Sequence, residues 1–349
     1  MPTSRQVQLV RRPTGAPTAA DFDLVTVDVP PPAEGEVTVR NSLVSLDPYM
    51  RSRLYSAPGY AEPYPLHAAL SGDAVGTVVA SRATDLPEGT PVRSTHGWRE
   101  SFTAPAAEVE RLTPAGLAPA DHLGPLGLPG EAAYVGLFVV AGIRPGETVY
   151  VSAAAGAVGS VAGQLAKLHG CRVVGSAGSE EKVEWLLDEL GFDEAFDHSD
   201  GDLEVELAIA APDGVDVYFD NVGGAHLRAA LGAMNPFGRA VLCGAMSQYG
   251  PDRFGVDNLA LVVARRLRLE GFLVQDHAAH RDAFTELVAG HLAAGRLTTR
   301  ETVVSGLENA PAAFLELFTS GGHTGKVLVD VSGVDGPGGD RPLADAAVN

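Results

Sequence analysis

A turn rich in glycine and alanine is the segment of this sequence best suited to hold a ligand for chemistry. Its residues, Ala154-Ala155-Gly156-Ala157-Val158-Gly159, follow the pattern G-x-G-x-x-G with alanine in the first glycine position. Such a turn directs backbone N–H groups and the positive end of the next helix toward a pyrophosphate, and Gly159 lets that helix pack closely on the strand. The motif alone is weak, but it stands between an apolar strand at 148–152 and an amphipathic stretch ending at Leu168. This context predicts a dinucleotide-binding βαβ unit.

The segment after the following predicted strand, at 171–175, favours NADP(H) as that dinucleotide. An NAD site usually carries Asp or Glu at this strand end to bind the ribose 2′-hydroxyl. Here the chain continues as Gly175-Ser176-Ala177-Gly178-Ser179, without an acid, and Lys182 follows in the first turn of a helix that Ser179 caps. A cation at that position opposes the helix dipole, which indicates a role toward a 2′-phosphate. The alternative is an ordinary lysine on a solvated helix face.

Two more segments stand where neighbouring strands of such a sheet should end. Asp220-Asn221-Val222-Gly223-Gly224 follows a predicted strand at 215–219, and Gly244-Ala245-Met246-Ser247-Gln248-Tyr249 follows one at 240–243. Ligands of open α/β sheets bind outside the carboxyl ends of the strands, so both segments are candidates for the cofactor cleft. Both could also be plain turns, for which Asn-Val-Gly-Gly is well suited.

These segments require strands and helices that alternate from about residue 125 onward, which predicts a parallel sheet with right-handed crossovers. Beyond the strands already named, a strand at 267–274, a long helix at 277–294 and strand-like stretches at 301–304 and 325–331 are expected. The first 120 residues instead contain short alternating runs separated by turn clusters, which predict a small antiparallel barrel or sandwich. The predicted fold class is α/β with a second, β-rich domain.

Length and composition fit two globular domains and exclude several classes of partner. The 349 residues include 44 acidic and 25 basic side chains, a formal net charge of −19. No basic patch is available for nucleic acid or an anionic membrane. No apolar stretch follows the N-terminus, so we expect a cytoplasmic protein without a secretory signal. Cys171 and Cys243 stand in apolar, strand-like runs and are expected to be buried thiols rather than a disulfide framework.

Five motifs occur in an order that resembles the zinc-independent medium-chain reductases of the prostaglandin reductase and 2-alkenal reductase type. They are Asp47-Pro48-Tyr49-Met50-Arg51, Gly127-Leu128-Pro129-Gly130, Ala153-Ala154-Ala155-Gly156-Ala157-Val158-Gly159-Ser160, Asp220-Asn221-Val222-Gly223-Gly224 and Cys243-Gly244-Ala245-Met246-Ser247-Gln248-Tyr249. The resemblance covers about residues 5–331. It implies a GroES-like β-barrel domain at 1–124, a Rossmann NADP-binding domain at 125–298 and a C-terminal return to the barrel at 299–331. The Gly-, Pro- and Asp-rich tail at 332–349 is expected to be disordered.

The resemblance also implies an activity, the NADPH-dependent reduction of a carbon–carbon double bond conjugated to a carbonyl. It places the pyrophosphate on Gly156 to Gly159 and the 2′-phosphate near Lys182. The other residues that it places along the cofactor are Asn221, Cys243, Gly244, Ala245, Met246, Ser247, Tyr249, Phe272, Leu273 and Val274.

Three positions depart from the family pattern. His198, in Phe196-Asp197-His198, replaces a tyrosine, and His323, ahead of Gly325-Lys326, replaces an asparagine. Both histidines can still form hydrogen bonds, so both are kept as cofactor-binding residues, whereas Asp197 would oppose a 2′-phosphate. Glu131 stands where an apolar residue is expected, and the sequence gives no account of it.

Two tyrosines are candidates for catalysis. Reduction of an enone requires hydride at the β-carbon, donors to the developing enolate oxygen and a proton at the α-carbon. Tyr249 is the candidate donor to the enolate, and either its phenol or water could supply the proton. Tyr49 is expected to face the cleft from the barrel side. Each could instead be a half-buried aromatic residue whose hydroxyl is satisfied elsewhere.

The sequence also bears on metal binding and on alternative activities. The zinc ligands of related alcohol dehydrogenases come from the barrel, yet no cysteine precedes Cys171, and the pair His277 and His280 lacks a third ligand, so no metal is expected. A quinone reductase of the same superfamily and a non-enzymatic NADPH-binding protein stay as alternatives. The substrate depends on loops such as 56–67 and 254–261.

An alternating apolar strand at 267–274 at the edge of the sheet, together with the resemblance, predicts a homodimer.

Overall fold

A computed structural model describes residues 1–56, 61–114, 116–249, 255–319 and 322–333, and it contains a β-rich barrel and a parallel sheet. The predicted α/β fold class is therefore confirmed. The tail expected to be disordered, 332–349, lies outside the described residues from residue 334 onward. No helix in the described ranges is long and apolar enough to cross a membrane.

Short strands with inward apolar residues form the barrel. β3 pairs with β4 on one side and with β6 and the C-terminal part of the chain on the other, while β5 and β7 extend the sheet beyond β4. Val37, Val39, Val78 and Phe102 are buried in its interior. The strands are β1 (Thr3–Leu9), β2 (Phe22–Asp28), β3 (Glu36–Ser45), β4 (Ala74–Ser81), β5 (Pro91–Ser94), β6 (Ser101–Pro105) and β7 (Val109–Arg111), with short 3₁₀ turns at Ala19–Asp21, Pro48–Leu54, Ala106–Glu108 and Pro119–His122.

Six described strands pair in parallel in the order β10-β9-β8-β11-β12-β13. Counted from β8, this is the strand order 3-2-1-4-5-6 of a Rossmann domain. The chain adds β9 and β10 on one side of β8 and then adds β11, β12 and β13 on its other side, so the switch point lies between β8 and β11. Dinucleotides bind in the crevice at that switch point. The strands are β8 (Thr148–Val151), β9 (Arg172–Ala177), β10 (Glu194–Asp197), β11 (Val215–Asp220), β12 (Met234–Leu242) and β13 (Arg268–Gly271).

Helices cover both faces of this sheet because its strands are apolar on both sides. Val149 and Val151 belong to the core on one face, and Tyr150 belongs to the core on the other. The helices are α1 (Leu128–Tyr134), α2 (Ala157–Leu168), α3 (Glu180–Asp188), α4 (Leu203–Ala210), α5 (Gly224–Ala233), α6 (Ala260–Arg265) and α7 (Arg281–Ala293). A π-helical segment, Val135–Ala141, continues α1, and 3₁₀ turns form at Met246–Gln248 and Val274–His280.

The end of the described chain returns to the barrel. β14 (Glu301–Ser305) and β15 (Lys326–Asp330) pair in parallel, and β15 also pairs antiparallel with β3. Between them lie a 3₁₀ turn, Leu307–Asn309, and α8 (Ala310–Glu316), whose Phe314 meets the ring of the fully buried Trp98 edge-on at 5.7 Å between centroids. The barrel core is thus built from both ends of the sequence.

Three elements differ from the sequence predictions. β10 was not predicted, since its four residues begin and end with an acid and only Phe196 is buried. The predicted helix at 277–294 is divided: His277 has non-helical dihedral angles (φ −113°, ψ 21°), so α7 begins only at Arg281. The predicted edge strand at 267–274 also contracts to the four residues of β13.

Candidate active site

The glycine-rich turn joins β8 to α2 at the switch point. Gly156 precedes the first residue of α2, so the unpaired backbone N–H groups of the first helical turn are available to an anion. A Cβ atom on Gly159 would lie 2.4 Å from the carbonyl oxygen of Ala153, and one on Gly156 would lie 3.2 Å from the same oxygen. A side chain at Gly159 is therefore excluded. This cradle fits a pyrophosphate.

A cleft of about 1230 Å³ lies between the barrel and the carboxyl edge of the parallel sheet. Pockets for single small molecules measure roughly 300–1000 Å³, so the cleft has room for an extended ligand. The predicted site residues that line it are Tyr49, Gly156, Ala157, Val158, Gly159, Lys182, His198, Asn221, Cys243, Gly244, Ala245, Met246, Tyr249, Phe272, Leu273, Val274 and His323. Ser247 is not among the lining residues, because its hydroxyl donates to the carbonyl of Val222 at 2.7 Å.

Hydrogen bonds hold the loop after β11 in place. The buried carboxylate of Asp220 accepts from the hydroxyl of Tyr218 at 2.7 Å and from the backbone N–H of Gly223 at 2.7 Å. Burial raises the pKa of Asp220 despite these bonds. Asn221 donates its side-chain amide to the carbonyl of Ser152 at 2.8 Å. Asn221 is thereby fixed at the edge of the cleft, beside the glycine-rich turn.

Tyr249 stands on the loop after β12 and lines the cleft. It follows the 3₁₀ turn Met246–Gln248, and its phenolic oxygen accepts a hydrogen bond from the backbone N–H of Ala245 at 3.3 Å. A hydroxyl that accepts a hydrogen bond becomes a better donor through its own proton. Tyr249 can therefore donate to an oxygen that becomes negative in the cleft.

Tyr49 lines the cleft from the barrel, as the sequence predicts. It lies on the 3₁₀ turn Pro48–Leu54. The hydroxyl of Ser52 donates to the Tyr49 carbonyl at 2.8 Å and stabilises the beginning of this turn. Burial raises the pKa of Tyr49 far above its ordinary value, and the carboxylates of Asp47 and Asp73 add to the effect. Tyr49 is therefore a phenol at every pH of interest, able to donate a hydrogen bond but not to act as a base.

A buried ion pair links the barrel turn to the returning C-terminal strand. The ammonium of Lys326 lies 2.6 Å from Asp47 Oδ1 and also donates to the carbonyl of Leu46 at 3.0 Å. The hydroxyl of Ser45 donates to the other oxygen of Asp47. The exposed fractions of the Lys326 and Asp47 side chains are only 4% and 10%. This pair fixes the position of Tyr49, two residues beyond Asp47.

Asp73 is an acidic residue of the cleft that sequence reasoning missed. It directly precedes β4, and its backbone carbonyl accepts from Ser45 N at 2.8 Å. Burial raises the pKa of Asp73 to about 6, and the carboxylate of Asp47 contributes while Arg93 opposes. Nothing in the local sequence marks this residue, since its environment comes from β3 and β5.

Glu131, which the sequence left unexplained, has a partner on the other side of the cleft mouth. Its side chain is 8% exposed and lies 3.4 Å from Arg281 at the beginning of α7. Arg281 also lies 4.0 Å from Glu110 on β7, which in turn pairs with Arg93 on β5 at 2.7 Å. These four charges connect the Rossmann domain to the barrel.

The second end of the cleft contains a lysine and two histidines. Lys182, His198 and His323 line it together with Gly178 of the loop after β9. As predicted, Ser179 caps α3 by accepting from the backbone N–H of Lys182 at 3.4 Å. Burial lowers the pKa of Lys182, while Glu181 and Asp197 act in the opposite direction.

No three His, Cys, Asp or Glu side chains come close enough to hold a metal ion in the ranges that the structure describes. His277 and His280 lie in the 3₁₀ turn ahead of α7 rather than on the helix, with their ring centroids 6.3 Å apart. Burial raises the pKa of the Cys171 thiol to about 11 and that of Cys243 to about 12, so both are protonated. The expected absence of metal stays a prediction.

A barrel, a 3-2-1-4-5-6 parallel sheet and a glycine-rich turn at the cleft between them define a medium-chain dehydrogenase/reductase. Residues 5–112 match the family described as the N-terminal domain of oxidoreductase, and residues 157–290 match the family described as zinc-binding dehydrogenase. The chain belongs to the prostaglandin reductase and 2-alkenal reductase family of these enzymes. Its membership rests on similarity over almost the whole length.

Three relatives show the extent of that similarity. A tobacco protein (Nicotiana tabacum) named 2-alkenal reductase (NADP(+)-dependent) is 40% identical, over 95% of this chain and 98% of its own. The mouse protein (Mus musculus) named prostaglandin reductase 1 is 41% identical, over 90% and 95%. The crystal structure of CurA from Vibrio vulnificus in complex with NADPH superposes with a TM-score of 0.87 at 40% identity, over 93% of this chain and 98% of that one.

Proposed function

We propose that this protein is an NADPH-dependent oxidoreductase that reduces the carbon–carbon double bond of α,β-unsaturated aldehydes and ketones. The observation that carries the proposal is the position of Tyr249, whose phenol faces the same cleft as the glycine-rich turn. Relatives named for NADP-dependent reduction of alkenals and prostaglandins support it. The proposed domains are the barrel at 1–124, the cofactor domain at 125–298 and the return at 299–331.

The residues present fit NADP(H). The turn from Gly156 to Gly159 would hold the pyrophosphate at the beginning of α2, and Lys182 at the other end of the cleft would hold the 2′-phosphate. Asn221, the predicted residues of the 243–249 segment other than Ser247, and those of the 272–274 segment would line the remainder of the cofactor. When bound, NADPH supplies the hydride that the β-carbon of the substrate accepts.

The protein's own residues polarise the substrate. Tyr249 donates a hydrogen bond to the carbonyl oxygen, and this bond strengthens as the oxygen becomes an enolate. Tyr49 presents a second phenol from the barrel wall and, because its pKa is raised, keeps its proton. Segments 56–67 and 254–261, which are expected to shape the substrate end, contain residues outside the described ranges.

The product identifies the reaction. Incubated with NADPH and a trans-2-alkenal, the purified protein is expected to form the saturated aldehyde, detected by gas chromatography with mass spectrometry. Formation of the allylic alcohol instead would mean that hydride reaches the carbonyl carbon, and it would contradict the proposal.

Replacing Lys182 by alanine is expected to raise the KM for NADPH by about ten- to a hundredfold, because the variant loses a charged hydrogen bond to the 2′-phosphate. The KM for NADH should change little, since NADH carries no 2′-phosphate. Lys167→Ala is the matched control, because Lys167 pairs with Asp193 at 2.8 Å near the other end of α2. An equal response to both dinucleotides would remove Lys182 from the phosphate site.

The protein is also proposed to be a homodimer. β13 ends the parallel sheet, and no other strand of the described residues pairs with its outer edge. An open edge invites a second copy of the same strand, which would extend the sheet across a twofold axis. Light scattering at micromolar concentration should give twice the 36.1 kDa of one chain. A mass of a single chain would refute the dimer.

A further inference from the structure

His198 and His323 line the same cleft as Lys182, and a third histidine, His226, packs behind His198. His198, just after β10, meets the ring of His226 on α5 edge-on, with 4.9 Å between ring centroids. A Cβ atom on Gly178 would lie 3.3 Å from His198 Nε2, so His198 covers the loop after β9 closely. His323 enters from the segment before β15 and lines the same end. Four separate elements thus converge on one small region.

His323 carries a buried nitrogen without a hydrogen-bond partner among the described residues. Its side chain is only 9% exposed, and Nε2 lies 3.2 Å from a carboxylate oxygen of Glu316 without forming a hydrogen bond. Burial lowers the pKa of the ring, although Glu316 and the backbone of Ala313 act in the opposite direction.

The charges that face this region leave it short of positive charge. Besides the histidines, they are Glu181, Lys182, Asp197 and Glu316. Burial opposes ionisation of Asp197, but hydrogen bonds from Ser199 at 2.6 and 2.9 Å outweigh it and hold its pKa below the usual range. With neutral imidazoles, one lysine faces three carboxylates. A phosphate dianion there demands additional positive charge.

In the free protein, burial disfavours the charged forms of two of these imidazoles, His226 and His323. Burial lowers the pKa of His323, with Glu316 opposing the effect and Lys182 adding to it. Burial also lowers the pKa of His226 to about 4, so that ring stays neutral behind His198. A dianion placed against His323 would stabilise its charged form and raise its pKa.

We propose that His323 takes up a proton when the 2′-phosphate of NADPH binds beside Lys182, which makes the preference for NADPH over NADH increase as the pH falls. This inference rests on the proposed function. The proton comes from the buffer, and the imidazolium then donates to the phosphate through Nε2. The sign follows from linkage: a ligand that raises a pKa binds more tightly at a pH below the raised value. Each linked proton changes the affinity by up to about tenfold per pH unit.

Calorimetric titration of the full-length protein with NADPH and with NADH tests the proposal without turnover. Performed at neutral pH in two buffers of different ionisation enthalpy, neither of them phosphate, it should show net proton uptake for NADPH and none for NADH. The Kd for NADPH should rise by about tenfold or more between pH 6 and pH 8, whereas the Kd for NADH should stay constant.

A variant assigns the proton to His323. His323→Gln should abolish the uptake and reduce the pH dependence for NADPH to that of the cofactor's own phosphate. The titration of that phosphate is the same in the wild type and in the variant. Thermal unfolding followed by circular dichroism shows whether the variant folds. His280→Gln, an exposed histidine outside the cleft lining, is the matched control and should behave as wild type.

Two results would overturn the inference: equal proton uptake for both dinucleotides, or uptake that persists in His323→Gln. Tight NADPH binding without pH dependence would therefore contradict the histidine mechanism while leaving the proposed function intact. Failure of both dinucleotides to bind would contradict the proposed function and this inference together.

Discussion

Tyr249→Phe is expected to lower kcat for an enone about ten- to a hundredfold, a loss of about 1.4–2.7 kcal/mol of transition-state stabilisation. Removal of a dominant oxyanion donor costs on the order of 10²–10³ in rate, and a share of the interaction carried by Tyr49 or the cofactor ribose reduces that figure. KM should move less than kcat, because the carbonyl oxygen carries little charge before hydride arrives. Steady-state kinetics should be measured under conditions in which hydride transfer limits the rate.

The phenylalanine variant keeps the ring and removes only the hydroxyl that accepts from Ala245 N. Folding and NADPH binding should therefore be preserved. Tyr134→Phe is the matched control, since Tyr134 packs against Phe138 and Phe284 and does not line the cleft. An unchanged kcat in Tyr249→Phe would exclude Tyr249 from the reaction.

Asp47→Ala is expected to reduce the free energy of unfolding by about 3–5 kcal/mol, because it removes the carboxylate that pairs directly with the buried ammonium of Lys326. The carbonyl of Leu46 would still accept a hydrogen bond from that ammonium. The loss should appear as a lower midpoint in urea denaturation. Since Asp47 lines the cleft, stability rather than activity is the appropriate measurement.

Two comparisons separate this loss from general damage. Replacing both partners, Asp47→Ala with Lys326→Met, should recover most of the stability, since no unpaired charge then remains buried. Glu189→Ala breaks an exposed pair with Arg300 and should cost at most about 1 kcal/mol. If Asp47→Ala is no more harmful than Glu189→Ala, the buried pair does not stabilise the fold.

The Rossmann half could be predicted from sequence because its signals are local. The strand, glycine-rich turn and helix around Gly156 are contiguous, and Ser179 caps α3 within a few residues of β9. Strand β10 lacks such a signal, because its four residues include only one that is buried. The interruption at His277 is likewise invisible in a helical pattern that continues through it.

The long-range partners in the cleft could not be predicted. Lys326 and Asp47 are 279 residues apart, and Glu131 and Arg281 are 150 residues apart. Neither spacing follows from any local pattern, since each pair forms only when the returning C-terminal strand or α7 meets the other element. The unusual Glu131 was visible in the sequence, but its partner became identifiable only in the folded chain.

The proposed reductase activity is best tested by giving three substrates to one preparation of the protein in parallel assays. Initial rates of NADPH oxidation are measured with a trans-2-alkenal and with a para-quinone, and NADP⁺ reduction is measured with a primary alcohol. We expect kcat/KM for the alkenal to exceed that for the quinone by about tenfold or more, a difference of about 1.4 kcal/mol, with no measurable alcohol oxidation. A preference for the quinone, or turnover of none of the three, would contradict it.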